Sequence, residues 1–393
     1  MATTGMTAKV LERRIREYEA FGIHRTGWPG DEASAMWMRS ELQTAAIDVS
    51  LEEFEYPMFR SKTAWLSWDG GEITGVPLHD CGLTGPKGVS GQVVMAGVED
   101  VSGKIVVAGA NEPEFAATPP YEMIARLEKS GAAGLVLVRC DSLGAINLSN
   151  AYRIDDPFNI PVLQVACPDA TGLSVAARNG TSATLTVDAT RESGTALNVS
   201  ATLPGENGDA APLGIMTPRS GWFTCASERG GGIAIWLGLA EAIASMTGRR
   251  RTVHIVASSG HEIDHYGLQA YLNSRPELAR NARAWLHLGA LIGSRAAPVR
   301  VEPSDEELKS LAESAFAASG ADRWAMWDRK GGEAKNIAAA GGRYVSLRGG
   351  PSTDDGDTYS HSPNDTFDRA SDIELVAASG RACLSMIEKL DAI

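Results

Sequence analysis

RTVHIVASSGHEIDHYG, residues 251–267, is the stretch on which the reading of the fold turns. His261, Glu262 and His265 spell His-Glu-x-x-His, the pattern of a zinc site on one helix face with the Glu as general base. The preceding residues argue against a helix. TVHIVAS is a short apolar, β-branched run suited to a buried strand, and Ser-Ser-Gly after it marks a strand-end turn. His261 and Glu262 therefore fall at a strand end, with a helix expected from about Tyr266 and Asp264 in its first turn, where the helix dipole favours an acid. Imidazoles and a carboxylate on a strand-end loop point to an open α/β sheet, whose sites gather at the carboxyl ends of strands.

Working outward, strand and helix patterns alternate: PLGIMT, the helix GGIAIWLGLAEAIASM, RTVHIVAS, RAWLHLGA, the helix DEELKSLAESAFAAS, RYVSLR and a last helix DIELVAASGRACLSMIEKL. This alternation predicts an α/β fold, a mostly parallel mixed sheet flanked by helices. Near the start, Val10, Leu11, Ile15 and Tyr18 and then Met36, Met38 and Leu42 have helical spacing, and LEEFEYP alternates like a strand. Between about Gly71 and Thr195 the texture changes to short Val/Ile/Leu strands broken by Gly, Pro, Asn and Asp, with one helix at YEMIARLEKSGAAG. The expected organisation is one α/β domain, 1–70 and 196–393, interrupted by a β-rich domain at 71–195.

The 393 residues carry a formal charge of -13, with 22% charged and 44% hydrophobic side chains. That is the balance of a folded chain, and its sign excludes phosphate backbones and anionic membranes as partners. Charges in MATTGMTAKVLERRIREYEAFG predict no secretory leader, and no segment has the length of a membrane span. Cys81, Cys140, Cys167, Cys225 and Cys383 are scattered without paired spacing, from which a reducing, cytoplasmic setting is expected.

Four strand-end loops collect the polar residues: TPRSGWFTCASERGGG, SSGHEIDHYG, HLGALIG and GGPSTDDGDTYSHSPNDT. Of the seven histidines, His261, His265, His287 and His361 lie in or beside them. Such crowding at one sheet edge points to a site rather than to packing.

With these residues in view, the chain resembles the M28 family of zinc aminopeptidases carrying an inserted protease-associated (PA) domain, a fold shared by the glutaminyl cyclases. The likeness runs through FGIHRTGWPGDEASAMWMRSEL, then VSGKIVVAG, EKSGAAGLVLV and NIPVLQVACPDATGL, and LNVSATLPG. It implies a zinc-exopeptidase-like (phosphorylase/hydrolase-like) three-layer fold with a PA-like insertion. The family's ligands map one by one. Its His-x-Asp falls on Thr217-Pro218-Arg219 and a later Asp on Gly289, so the donors to one ion are lost. Its bridging Asp corresponds to Glu228, its Glu-Glu pair to His261-Glu262, and its final His to His361.

The resemblance thus implies a single metal ion held by Glu228, Glu262 and His361, with His261 as general base or further ligand and His265 as spare ligand or supporting partner. Zinc is the first choice, and manganese or iron suits the same donors. Arg219 is expected to hold a substrate carboxylate, Trp222 and Trp324 to wall a pocket that His287 also faces, and Tyr359 to donate to a developing oxyanion. The expected function is a metal-dependent hydrolase that cleaves an amide-type C–N bond of a small molecule, with His261 or Glu262 moving protons. Glutaminyl cyclase-like acyl transfer and a non-catalytic binding module are the alternatives. A homo-oligomer and the substrate's identity stay open.

Overall fold

The computed structural model describes residues 4–109, 121–350 and 355–392; residues 351–354, in the last of the four polar loops, lie outside the described residues. Two helices, Ala8–Ala20 and Pro29–Thr44, precede the long strand β1 (Ser50–Trp68). Short strands β2 (Gly71–Thr74) and β3 (Val76–Pro77) lead to β4 (Val89–Met95), β5 (Ile105–Gly109), β6 (Gly134–Val138) and β7 (Val162–Val165). The chain returns along β8 (Ser182–Leu203) into β9 (Leu213–Pro218), β10 (Val253–Ser258) and β11 (Ala284–Leu288). It finishes through β12 (Val299–Pro303), β13 (Trp324–Met326) and β14 (Tyr344–Arg348).

The strand order is β13-β12-β14-β11-β9-β10-β8, and from β8 it continues β4-β5-β6-β7-β3. β10 and β11 flank β9 and β14 flanks β11, all parallel, while β12 runs antiparallel to β14. This is the mostly parallel mixed sheet that the alternation predicted. Period-two alternation then builds the layers. Ile215, Ile255, Leu286 and Val345 enter a core that also takes in residues of Ala8–Ala20, Gly231–Ala244, Glu306–Ser319 and Ile373–Ala392. Their neighbours Met216, Val256, Trp285 and Tyr344 pack instead with Leu268, Tyr271, Ala334 and Ile337 from the other helix layer. Helix Gly231–Ala244 is apolar around almost its whole girth because it packs against both Ala8–Ala20 and Ile373–Ala392.

The β-rich part has two cores of its own, one on each face of its sheet: Val106, Leu135 and Val162 on one side, Val107, Val136 and Leu163 on the other. The boundary at 70/71 coincides with the β1–β2 turn, whereas 195/196 falls in the middle of β8. β1 and β8 pair without interruption from Ser50↔Ser200 to Trp68↔Ala183 apart from one irregularity near Ser61, so a single ribbon runs through both parts.

One expectation fails. Cys140 and Cys167 form a disulfide with their Cα atoms 5.5 Å apart. They lie just beyond the ends of the paired parallel strands β6 and β7. Strand pairing makes neighbours of residues 27 apart, a proximity invisible to sequence spacing. Cys81, Cys225 and Cys383 are buried free thiols. The premise for a reducing setting is therefore lost. Among the described residues, no helix is long and apolar enough to cross a membrane.

Candidate metal site

The loop after β10 is a tight turn. Gly260 has φ +81°, and a Cβ there would lie 2.9 Å from the Gly267 nitrogen. Asp264 and His265 both adopt left-handed backbone, at φ 61° and 60°, and the helix starts only at Tyr266. His261 and His265 are therefore not one turn apart on a helix, and Asp264 lies outside the helix where a first-turn position was expected. The turn folds the two imidazoles toward each other, ring centroids 5.2 Å apart. The Ala151 nitrogen donates to the Glu262 carbonyl at 2.8 Å, tying the β-rich part to this loop.

Glu333 completes the group. One carboxylate oxygen lies 2.6 Å from His261 Nδ1 and the other 3.1 Å from His287 Nε2. His265 Nδ1 lies 2.9 Å from Asn336 Oδ1, and His287 Nδ1 lies 2.8 Å from Ser346 Oγ. His261, His265 and Glu333 each bring a donor atom within 4.8 Å of the others, the geometry for holding one metal ion. Burial alone would raise the Glu333 pKa, but nearby His261 and His265 and hydrogen bonds from His261 and His287 hold it well below the usual carboxylate range. Burial lowers the pKa of His265 despite Glu333 nearby, which favours the neutral imidazole that a metal needs. These residues line a cavity of about 380 Å³ together with Glu228 and His361.

The ligand set inferred from the sequence is arranged differently. Glu228 sits in a π-turn, Ala226–Gly230, and the next residue, Arg229, points its guanidinium at two carboxylates. Arg229 lies 2.8 Å from Glu228 and 3.2 Å from Glu262, and its Nε donates to the Ser220 carbonyl at 2.8 Å. Ser220 Oγ donates to the other Glu262 oxygen at 2.7 Å. Burial would raise the Glu228 pKa, but Arg229 and His361 outweigh it and keep the carboxyl well below its usual range. His361 Nε2 lies 3.1 Å from Glu228 and its Nδ1 lies 2.7 Å from the Leu148 carbonyl. Glu228 and Glu262 thus share an internal cation, and His361 also reaches Glu228.

The substrate-facing expectations need correcting. Arg219 is fully buried, paired with Asp31 at 2.6 Å and bonded to Ser34 and the Leu197 carbonyl, so it braces helix Pro29–Thr44 and meets no ligand. Trp222 is buried with its Nε1 donating to Asn150 at 2.8 Å, and it borders a separate void of about 20 Å³. Trp324 stands on the edge strand β13 against Phe316, its packing partner. Tyr359 does not line the cavity and lies beneath Arg369. His287 does line it, but behind Glu333, as a positioning residue. Sequence reasoning missed Glu333, Asn336, Arg229 and Arg139. Glu333 had one signal, Gly331-Gly332 before it: Gly332 has φ +59°, and a Cβ there would come within 2.8 Å of His287.

No family model matches the chain, and no curated protein matches it by sequence. Its solved structural neighbours are consistent with one another. A zinc aminopeptidase from Bacillus subtilis superposes with TM-score 0.81 at 18% identity, covering 98% of this chain and 95% of that one. A structure described as a peptidase M28 precursor from Shewanella amazonensis gives TM-score 0.75 at 18% identity over 98% and 96%. The fold is that of the M28 zinc aminopeptidases. Glutaminyl cyclase from Porphyromonas gingivalis shares it more distantly, at TM-score 0.56 and 10% identity over 98% and 99%.

The residues at the M28 ligand positions do not fit a two-zinc centre. Thr217 donates its hydroxyl to the Leu288 carbonyl at 2.8 Å, and a Cβ on Gly289 would lie 2.8 Å from His287, whose ring fills the space a ligand side chain there would need. A single guanidinium, Arg229, pairs with both carboxylates expected at the other half. One metal ion fits His261, His265 and Glu333.

Proposed function

We propose that the chain is a metal-dependent hydrolase cleaving an amide-type C–N bond of a small substrate, with one divalent ion held by His261, His265 and Glu333. The convergence of these three donors on the wall of one cavity carries the reading. The cavity's volume suits a small molecule. Two imidazoles and a carboxylate form a set that zinc takes up, and manganese or iron also.

Bound there, the ion would supply Lewis acidity and lower the pKa of a water. The protein supplies the rest. Asn336 and His287 fix the orientation of His265 and Glu333. His361, half-buried at the cavity wall, would deliver a proton to the leaving nitrogen by turning its Nε2 from Glu228 to the substrate. Arg229 keeps Glu228 ionised for that task. Glu262, bonded on both oxygens by Arg229 and Ser220, is held as a structural anion and is not the base.

Elemental analysis of the purified protein is expected to find one equivalent of metal. His265→Ala and Glu333→Gln should lose it, while Glu228→Gln should keep it and lose turnover. The opposite pattern, metal lost with Glu228→Gln and kept with Glu333→Gln, would place the ion at the M28 positions and refute the assignment. A wild-type chain with no stoichiometric metal would favour the binding-module alternative.

A further inference from the structure

We propose that Arg139, contributed by the β-rich part, anchors a carboxylate of the substrate, so that the site acts on anionic amides; this rests on the hydrolase reading above. Arg139 directly follows β6 and lines the same cavity as His261 and Glu333. Its Nη1 donates to Ser149 Oγ at 2.7 Å and its Nη2 to Asn147 Oδ1 at 3.1 Å. Both partners are neutral, they use two of five N–H donors, and among the described residues no carboxylate pairs with it.

Most of the other buried arginines have an acid beside them, whereas Arg251 donates to the Leu390 and Ala211 carbonyls. Arg219 has Asp31, Arg229 has Glu228 and Glu262, and Arg300 has Asp355. A half-buried guanidinium without an acid carries an uncompensated desolvation cost, and its pKa is lowered by burial. An incoming anion offsets that cost through a bidentate, charge-assisted pair.

The setting is pre-organised. The Asn147 amide donates to the Ser360 carbonyl at 2.5 Å and the Leu148 nitrogen to the His361 carbonyl at 3.0 Å, which fixes this segment against the loop carrying His361. Exposed Lys335 at the rim adds positive field. Glu228, Glu333 and Asp357 face the same cavity and would repel a dianion, which favours a carboxylate over a phosphate. The cation that the sequence placed at Arg219 is thus supplied by a residue from the other part of the molecule.

The test uses the full chain stripped of metal by chelation, so that an ion cannot bind the probe. N-acetylglycine and N-acetylglycinamide, equal in size and different in charge, are titrated by calorimetry. The acid is expected to bind roughly tenfold or more tightly than the amide. Arg139→Gln should erase the preference and Arg139→Lys keep part of it, with melting curves confirming that both variants fold. Equal binding of the two probes, binding of neither, or a preference that survives Arg139→Gln would overturn the proposal. Inorganic phosphate binding as tightly as N-acetylglycine would overturn the carboxylate assignment. Metal content before chelation reads out the other hypothesis separately: an acid preference in a chain that never held metal would keep the anchor and remove the hydrolase.

Discussion

Glu228 and Glu333 face one cavity and solve the same electrostatic problem in opposite ways. A buried carboxylate must be paired, because burying an isolated charge is far too costly. Around Glu228 the chain provides a guanidinium, which is always charged and which Glu228 shares with Glu262. Around Glu333 it provides imidazoles, which carry charge only when protonated and present lone pairs when neutral. The first arrangement holds its acids with a fixed cation, and the second brings three donor atoms close enough to share an ion.

The largest effect should come from breaking the Glu333 cluster. Glu333→Gln removes the anionic donor, and metal affinity measured by competition with a chelator should fall by more than about a hundredfold. A drop of less than threefold would mean the three residues do not hold the ion. Breaking the Arg229 cluster should be felt in stability instead. Arg229→Met leaves Glu228 and Glu262 buried without their shared guanidinium, at a cost of about 3–5 kcal/mol in urea denaturation. Adding Glu262→Gln should recover part of that loss, and an unchanged denaturation midpoint in the single variant would refute the pairing.

Acid should separate the two clusters. The folded Glu228 carboxyl titrates below its ordinary 4.5. A group lowered on folding contributes stability above its unfolded pKa, and that contribution is lost only as pH falls through the lower folded value. The Arg229 cluster therefore persists at pH 5. Protons compete with metal for the imidazoles, so metal should leave at a higher pH than the fold. Coincident midpoints for metal release and for loss of near-ultraviolet circular dichroism would contradict this. The smallest effect concerns Gly289. Gly289→Ala presses a methyl on His287, and a loss of roughly 1–3 kcal/mol is expected, relieved by a second change, His287→Ala.

The fold was legible because it is written in local patterns. The apolar run before Ser258 identified a strand, and the helix beginning near Tyr266 followed from the break between them. His261 and His265 were visible as the polar residues left at that strand end. Glu333 was not, because its short helix, Ala334–Ala339, has too little length for periodicity and it meets His261 across 72 residues. Arg219 was misread for a similar reason: Asp31, its partner, is 188 residues earlier. Arg229 stood beside Glu228 in plain sight, but only the π-turn shows that its side chain lands between two acids. The disulfide required knowing which strands are adjacent.

The β1–β8 ribbon has a mechanical consequence. β8 alone is 22 residues long, roughly 70 Å when extended. It behaves as a beam clamped in both lobes, since its hydrogen-bond ladder is shared with β10 at one end and β4 at the other. The lobes lack the loose tether that hinge-bending proteins use, and separating them means breaking ladder bonds. Twisting of this beam is the motion the pairing leaves open, and it is expected to shift Arg139 relative to His261, His265 and Glu333. Crosslinking the two strands near mid-span would consequently stiffen the aperture without touching a residue that lines it.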